Sequence, residues 1–143
     1  MPNAHFFIDR IRLLGAIALV IAIITWAVDI SGLVYACPYC RTQRTAIGLL
    51  GILMMLPRPG HWLSLWLGTV VASLGMVVAA TQNFGGWKKI WAGSFSLGEQ
   101  WYINSFLLSG AAMFILSAQL LLLFAVAARY RLPAPHRVPG SPS

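Results

Sequence analysis

A chain of 143 residues that is 59% hydrophobic and 9% charged is too apolar for a water-soluble domain of its size and points to an all-α membrane protein. Its net charge of +7 comes from basic residues that flank apolar runs and form no interleaved basic and aromatic patch, which argues against a nucleic-acid surface. Anionic lipid and membrane topology account for the charge better.

Four stretches approach the roughly 20 residues needed to cross about 30 Å of hydrocarbon as helices. They are 11–30, 38–56, 62–81 and 105–128, and they predict a four-transmembrane-helix bundle within one domain, 1–132. The second is the least apolar, because its first turn carries Arg41 and Arg44, whose long side chains are expected to snorkel toward water. Pro57-Arg58-Pro59-Gly60 leaves room for little more than a tight turn, so the second and third spans should be antiparallel neighbours.

Orientation follows from the basic residues, which collect in cytoplasmic loops. Arg10, Arg12, Arg58, Arg129, Arg131 and Arg137 fall on one side, against Arg41, Arg44, Lys88 and Lys89 on the other. This bias places both termini in the cytoplasm and the cysteines on the outer face, which in a bacterial inner membrane is the periplasmic one. The segment 133–143, with Pro133, Pro135, Pro139 and Pro142, has the composition of a disordered cytoplasmic tail. A lipoprotein-like reading of Val34-Tyr35-Ala36-Cys37 fits poorly, since Tyr35 is bulky and Asp29 interrupts the approach.

The outer loop expected at 82–104 holds Gly85-Gly86, Trp87, Lys88, Lys89, Trp91, Phe95, Trp101 and Tyr102. Aromatic rings and lysines settle well in the headgroup layer, so this segment is either an interfacial anchor or a lid over a site. Ser96 and Glu99 have capping-box spacing and are expected to open a short helix toward the fourth span.

Cys37-Pro38-Tyr39-Cys40 is the only cysteine pair, and it lies in a polar break between the first two apolar runs. Cysteines two residues apart can close a strained, easily reduced disulfide, and the amides of a following helix stabilise the thiolate. On that helix Arg44 stands one turn beyond Cys40, where its charge would favour a thiolate or an acceptor that becomes anionic on reduction. Asp29 is expected to pair with Arg41 or Arg44. Ser64, Gly68 and Ala72 mark a close-packing face, Met54, Met55, Met76 and Met113 are dispersed as core fillers, and His5, His61 and His136 lie too far away to join the cysteines in a metal site.

Cys37-Pro38-Tyr39-Cys40-Arg41-Thr42-Gln43-Arg44, at the outer start of the second of four spans, resembles the signature of the DsbB family of disulfide bond formation proteins. The resemblance implies a membrane thiol:quinone oxidoreductase with Cys37 and Cys40 as the redox pair. It further implies that Cys40 faces a ubiquinone or menaquinone that Arg44 helps to hold, and that the thiol partner is a periplasmic thioredoxin-fold, DsbA-like protein. The chain departs from that family in carrying no second cysteine pair in the outer loop. Where better-known members place a histidine near the quinone, it offers Gln82 or Asn83, and Gln82 is the expected cofactor contact. Vitamin K epoxide reductases place their pair at a later span and match this order less well.

Without a relay pair, the partner's thiolate is expected to attack Cys37 directly and expel Cys40, the more buried member. Other readings of the same cysteines are a soft-metal site, since two thiolates at this spacing bind Cu(I), and a static disulfide in an accessory subunit of a larger membrane complex.

Overall fold

The computed structural model describes residues 3–33, 37–96 and 104–131. The expectations for the tail at 133–143, for Val34 to Ala36, and for Glu99, Trp101 and Tyr102 lie outside them. The described residues are all-helical, in the order α1 (Asn3–Asp9), α2 (Ile11–Ile30), α3 (Pro38–Met55), α4 (Trp62–Trp91) and α5 (Ser105–Arg131). Of these, α2, α4 and α5 are long and apolar enough to cross a membrane. The short α1 was not foreseen from the sequence.

Helix α3 is the centre of the bundle, packed against α2, α4 and α5. Its neighbours approach closely because small residues line the contacts: a Cβ on Gly15 would stand 2.6 Å from the Gly51 carbonyl oxygen, and one on Gly75 would stand 2.8 Å from the Ala46 Cβ. Large side chains point the other way, with Phe114 82% and Leu121 69% exposed. This distribution suits a lipid solvent, which gives apolar side chains no reason to turn inward and leaves close backbone packing as the main attraction. Leu50, Met54, Leu116 and Leu123 fill the middle. Ser64, Gly68 and Ala72 are buried on the inner face of α4, in keeping with their packing role.

The expected outer loop from residue 82 is instead helical as far as Trp91. Gly85-Gly86, expected within that loop, lie inside the helix. A Cβ on Gly86 would fall 2.4 Å from the Phe106 ring, so the glycine lets α5 start close against α4. Helix α4 ends at Trp91, and Gly93, two residues on, takes φ +67. The Gly93 amide then bonds to the Ile90 carbonyl at 3.1 Å and the Ser94 amide to Lys89 at 3.0 Å, a Schellman closure that favours glycine.

At one end of the bundle Asp9 pairs with Arg129 at 2.5 Å, and Arg12 donates to the Pro57 carbonyl at 3.3 Å. The start of α2, the α3–α4 turn and the end of α5 therefore meet there. The cysteines are at the opposite end.

Candidate redox site

Helix α3 starts inside the cysteine motif. Cys37 is its N-cap, with extended dihedrals (φ −95, ψ 114), and Pro38 takes the first helical position, where its missing N–H costs nothing and its φ is already helical. The first intrahelical bond runs from the Arg41 amide to the Cys37 carbonyl at 3.1 Å. Cys40 thus sits in the first turn, beside backbone N–H groups that have no helical acceptor and favour negative charge. Both cysteines are free thiols and partly exposed. The two fall in the same range of partial exposure, and their surroundings set them apart.

Those surroundings come from α4 and α3. The Gln82 side-chain amide donates to Cys40 Sγ at 3.5 Å and reaches Cys37 Sγ at 3.9 Å. Its Oε1 accepts a 2.8 Å hydrogen bond from Nε2 of Gln43, a residue only 4% exposed. Asn83, the neighbouring candidate, turns away and bonds the Phe106 carbonyl and the Ser109 hydroxyl of α5.

A second polar group ties α2 to α3. Arg41 Nε donates to Asp29 Oδ2 at 2.6 Å and its Nη2 to Oδ1 at 3.3 Å, while Arg44 Nη1 lies 3.7 Å from Oδ2. Arg44 Nη1 also donates to the Thr25 carbonyl at 3.1 Å. Arg41 lies over the Trp26 ring, 5.9 Å from its centroid, so it is held by partners as well as by the interface.

Two clefts flank the cysteine pair. The first, about 190 Å³, is lined by Ile21, Ala22 and Thr25 of α2, Cys40, Gln43, Arg44 and Ile47 of α3, and Leu108, Ala111, Ala112 and Ile115 of α5. Ile21 and Ile115, about half exposed, stand on its two opposing walls. The second, about 330 Å³, lies on the other side and is lined by Tyr39, Gln82, Gly85, Gly86, Lys89, Phe95 and Phe106 among others.

The structure therefore brings Cys37, Cys40 and Gln82 together and sets Cys40 and Arg44 in one cleft. Gln82 itself lines the other cleft. Sequence reasoning missed Gln43 and the α5 wall. Gln43 could have been noticed as the amide three positions after Cys40, one helical turn away on the same face; Leu108, Ala111 and Ile115 carry no such signal. No family model, curated protein or solved structure matches the chain.

Proposed function

We propose that the chain is a membrane thiol:quinone oxidoreductase of the DsbB type, which reoxidises a periplasmic thioredoxin-fold partner and passes the electrons to a membrane quinone. The observation that carries this reading is Cys40, one sulfur of a helix-capping CxxC, lining an apolar cleft that also holds the Arg44 guanidinium. A reactive thiol, a hydrocarbon-lined slot and a cation beside it are what an apolar two-electron acceptor needs.

The residues present fit a quinone head group. Apolar walls from α2 and α5 suit the ring, the Arg44 guanidinium supplies donors for its oxygens, and the exposed Ile21 and Ile115 leave a way for an isoprenoid tail into lipid. A quinone bound there would accept two electrons and two protons. The protein's own part is to place Cys40 at the cleft, to hold Arg44 at its rim through Thr25 and Asp29, and to keep Cys37 within reach of an external thiol.

In the membrane, α3 is the fourth span. Its 18 residues cover about 27 Å at 1.5 Å each, and its polar groups are satisfied inside the bundle, Arg41 by Asp29 and Gln43 by Gln82. The α4 extension lifts Trp87, Lys88, Lys89 and Trp91 into the outer headgroup layer. Asp9, Arg12, Arg58 and Arg129 then lie on the cytoplasmic side, with both termini and the 133–143 tail, and the cysteines face the periplasm.

Trapping Cys37 and Cys40 thiols in living cells, with and without oxidised quinone, tests the reading. The pair should be oxidised when quinone is supplied and accumulate as dithiol when it is withheld. An unchanged thiol state removes the quinone function and favours a static disulfide in an accessory subunit. Labelling of Cys37 by an impermeant reagent only from the cytoplasmic side overturns the orientation.

A further inference from the structure

We infer that Gln82 is a catalytic hydrogen-bond donor to the redox sulfurs, held in its donating orientation by Gln43, and that this amide pair sets how readily the Cys37–Cys40 disulfide is reduced. The inference rests on the thiol–disulfide reading above and replaces the expectation that Gln82 contacts the quinone.

A primary amide has one oxygen and one nitrogen, so fixing one fixes the other. Gln43 Nε2 occupies Gln82 Oε1 at 2.8 Å, and Gln82 Nε2 is thereby turned onto Cys40 Sγ at 3.5 Å and toward Cys37 Sγ at 3.9 Å. Gln43 is itself buried and stands one turn beyond Cys40 on the same helix, so it cannot swing away without breaking the α3–α4 contact. Arg41, adjacent to Cys40, is occupied by Asp29, and Arg44 by the Thr25 carbonyl and by Asp29. The side-chain donor that the structure aims at the sulfurs is a neutral amide.

Its effect depends on the sulfur's charge. When the partner's thiolate bonds to Cys37 Sγ, the Cys37–Cys40 bond breaks and its electron pair stays on Cys40 Sγ as a thiolate. A thiol or disulfide sulfur accepts hydrogen bonds weakly, whereas an anionic acceptor binds a donor about twice as strongly as a neutral one. The Gln82 contact therefore strengthens as Cys40 becomes the leaving group. This favours the reduced form, makes the pair a stronger oxidant and speeds attack at Cys37. The same amide can follow the charge if Cys37 becomes the thiolate, since both sulfurs lie within its reach.

The test uses the purified full-length protein in detergent, with no partner and no quinone, equilibrated across glutathione buffers and scored by thiol labelling. Gln82→Met keeps the length and bulk of the side chain and removes the donor. It should make the disulfide about tenfold harder to reduce, equivalent to about 30 mV for this two-electron couple. Reduction by dithiothreitol should slow by a similar factor. Gln43→Met, which leaves Gln82 in place but frees its amide to turn, should shift the equilibrium in the same direction by less. A Gln82→Met equilibrium within twofold of wild type, or a shift toward easier reduction, overturns the role of Gln82. A wild-type pair that forms no disulfide at any buffer ratio overturns the thiol–disulfide reading itself.

Discussion

Asp29 at the last turn of α2 and Arg41 at the first turn of α3 form a two-pronged ion pair, 2.6 and 3.3 Å, with the Asp29 side chain only 1% exposed. They stand twelve positions apart in the chain, with both cysteines between them. The pair fixes the distance between the end of one helix and the start of the next, and so the position of the Cys37 cap. Arg44 joins from one turn deeper at 3.7 Å, linking the same carboxylate to the cleft beside Cys40.

Asp29→Asn should therefore loosen the cysteine end of the bundle without disturbing the distant Asp9–Arg129 end. Removing one partner leaves two arginines facing an uncharged amide in partly buried surroundings, an arrangement that costs stability. The expected outcome is a Tm a few degrees lower in detergent and faster alkylation of both cysteines. Restoring the charge with Asp29→Glu should recover part of the loss. Alkylation at the wild-type rate in Asp29→Asn would show that the ion pair does not position the cap.

Arg44→Ala removes the cation from the cleft proposed for the acceptor. A charge-assisted hydrogen bond is worth about 1.5 to 3 kcal/mol, so quinone turnover at limiting quinone should fall by roughly ten- to hundredfold. The glutathione equilibrium of the cysteine pair should change much less, because Gln82 is the donor placed at the sulfurs. Wild-type turnover in this variant would reduce Arg44 to an anchor for the α2 carbonyl of Thr25.

Much of this arrangement was open to sequence reasoning, because bilayer physics leaves strong marks. Apolar runs and Gly/Pro breaks locate the starts of α2, α3, α4 and α5, and the CxxC announces itself. The Asp29 pairing was also legible, since an acid and two arginines near one membrane surface have few other partners. What escaped was set by tertiary contact. Gly85-Gly86 has the composition of a loop, and only the Phe106 ring packed on Gly86 explains why the helix runs through it. Gln43 and Gln82 are 39 residues apart, and nothing local tells Gln82 to face sulfur while Asn83 faces α5.

The cleft can be filled without touching the cysteines. Ala111 lines its α5 wall and is exposed there, so Ala111→Trp places an indole in the slot with little cost to packing. Turnover with quinone should drop at least tenfold, through a higher KM, while reduction of the disulfide by dithiothreitol stays at the wild-type rate. Equal loss of both activities would place the acceptor elsewhere, for instance in the outer cleft beside Gln82.

The proposed exchange makes its strongest demand on Cys37. On the proposed function, a chain whose cysteines are Cys37 and Cys40 alone needs a soluble thiol to reach the CxxC itself, and in-line attack requires one sulfur to be open while the other leaves. Cys37 caps the helix from outside its first turn, whereas Cys40 lines the cleft with Arg44 and Gln43; the proposed orientation therefore sends a soluble partner to Cys37. Cys40→Ser leaves Cys37 able to attack the partner's disulfide with no internal thiol to release it. That variant should accumulate a mixed disulfide with a thioredoxin-fold protein, cleaved by dithiothreitol and visible on non-reducing gels. Cys37→Ser, whose remaining sulfur faces the cleft, should not. Capture by Cys40 alone, or by neither variant, would rule out direct exchange at Cys37 and point to a second subunit that supplies the relay pair.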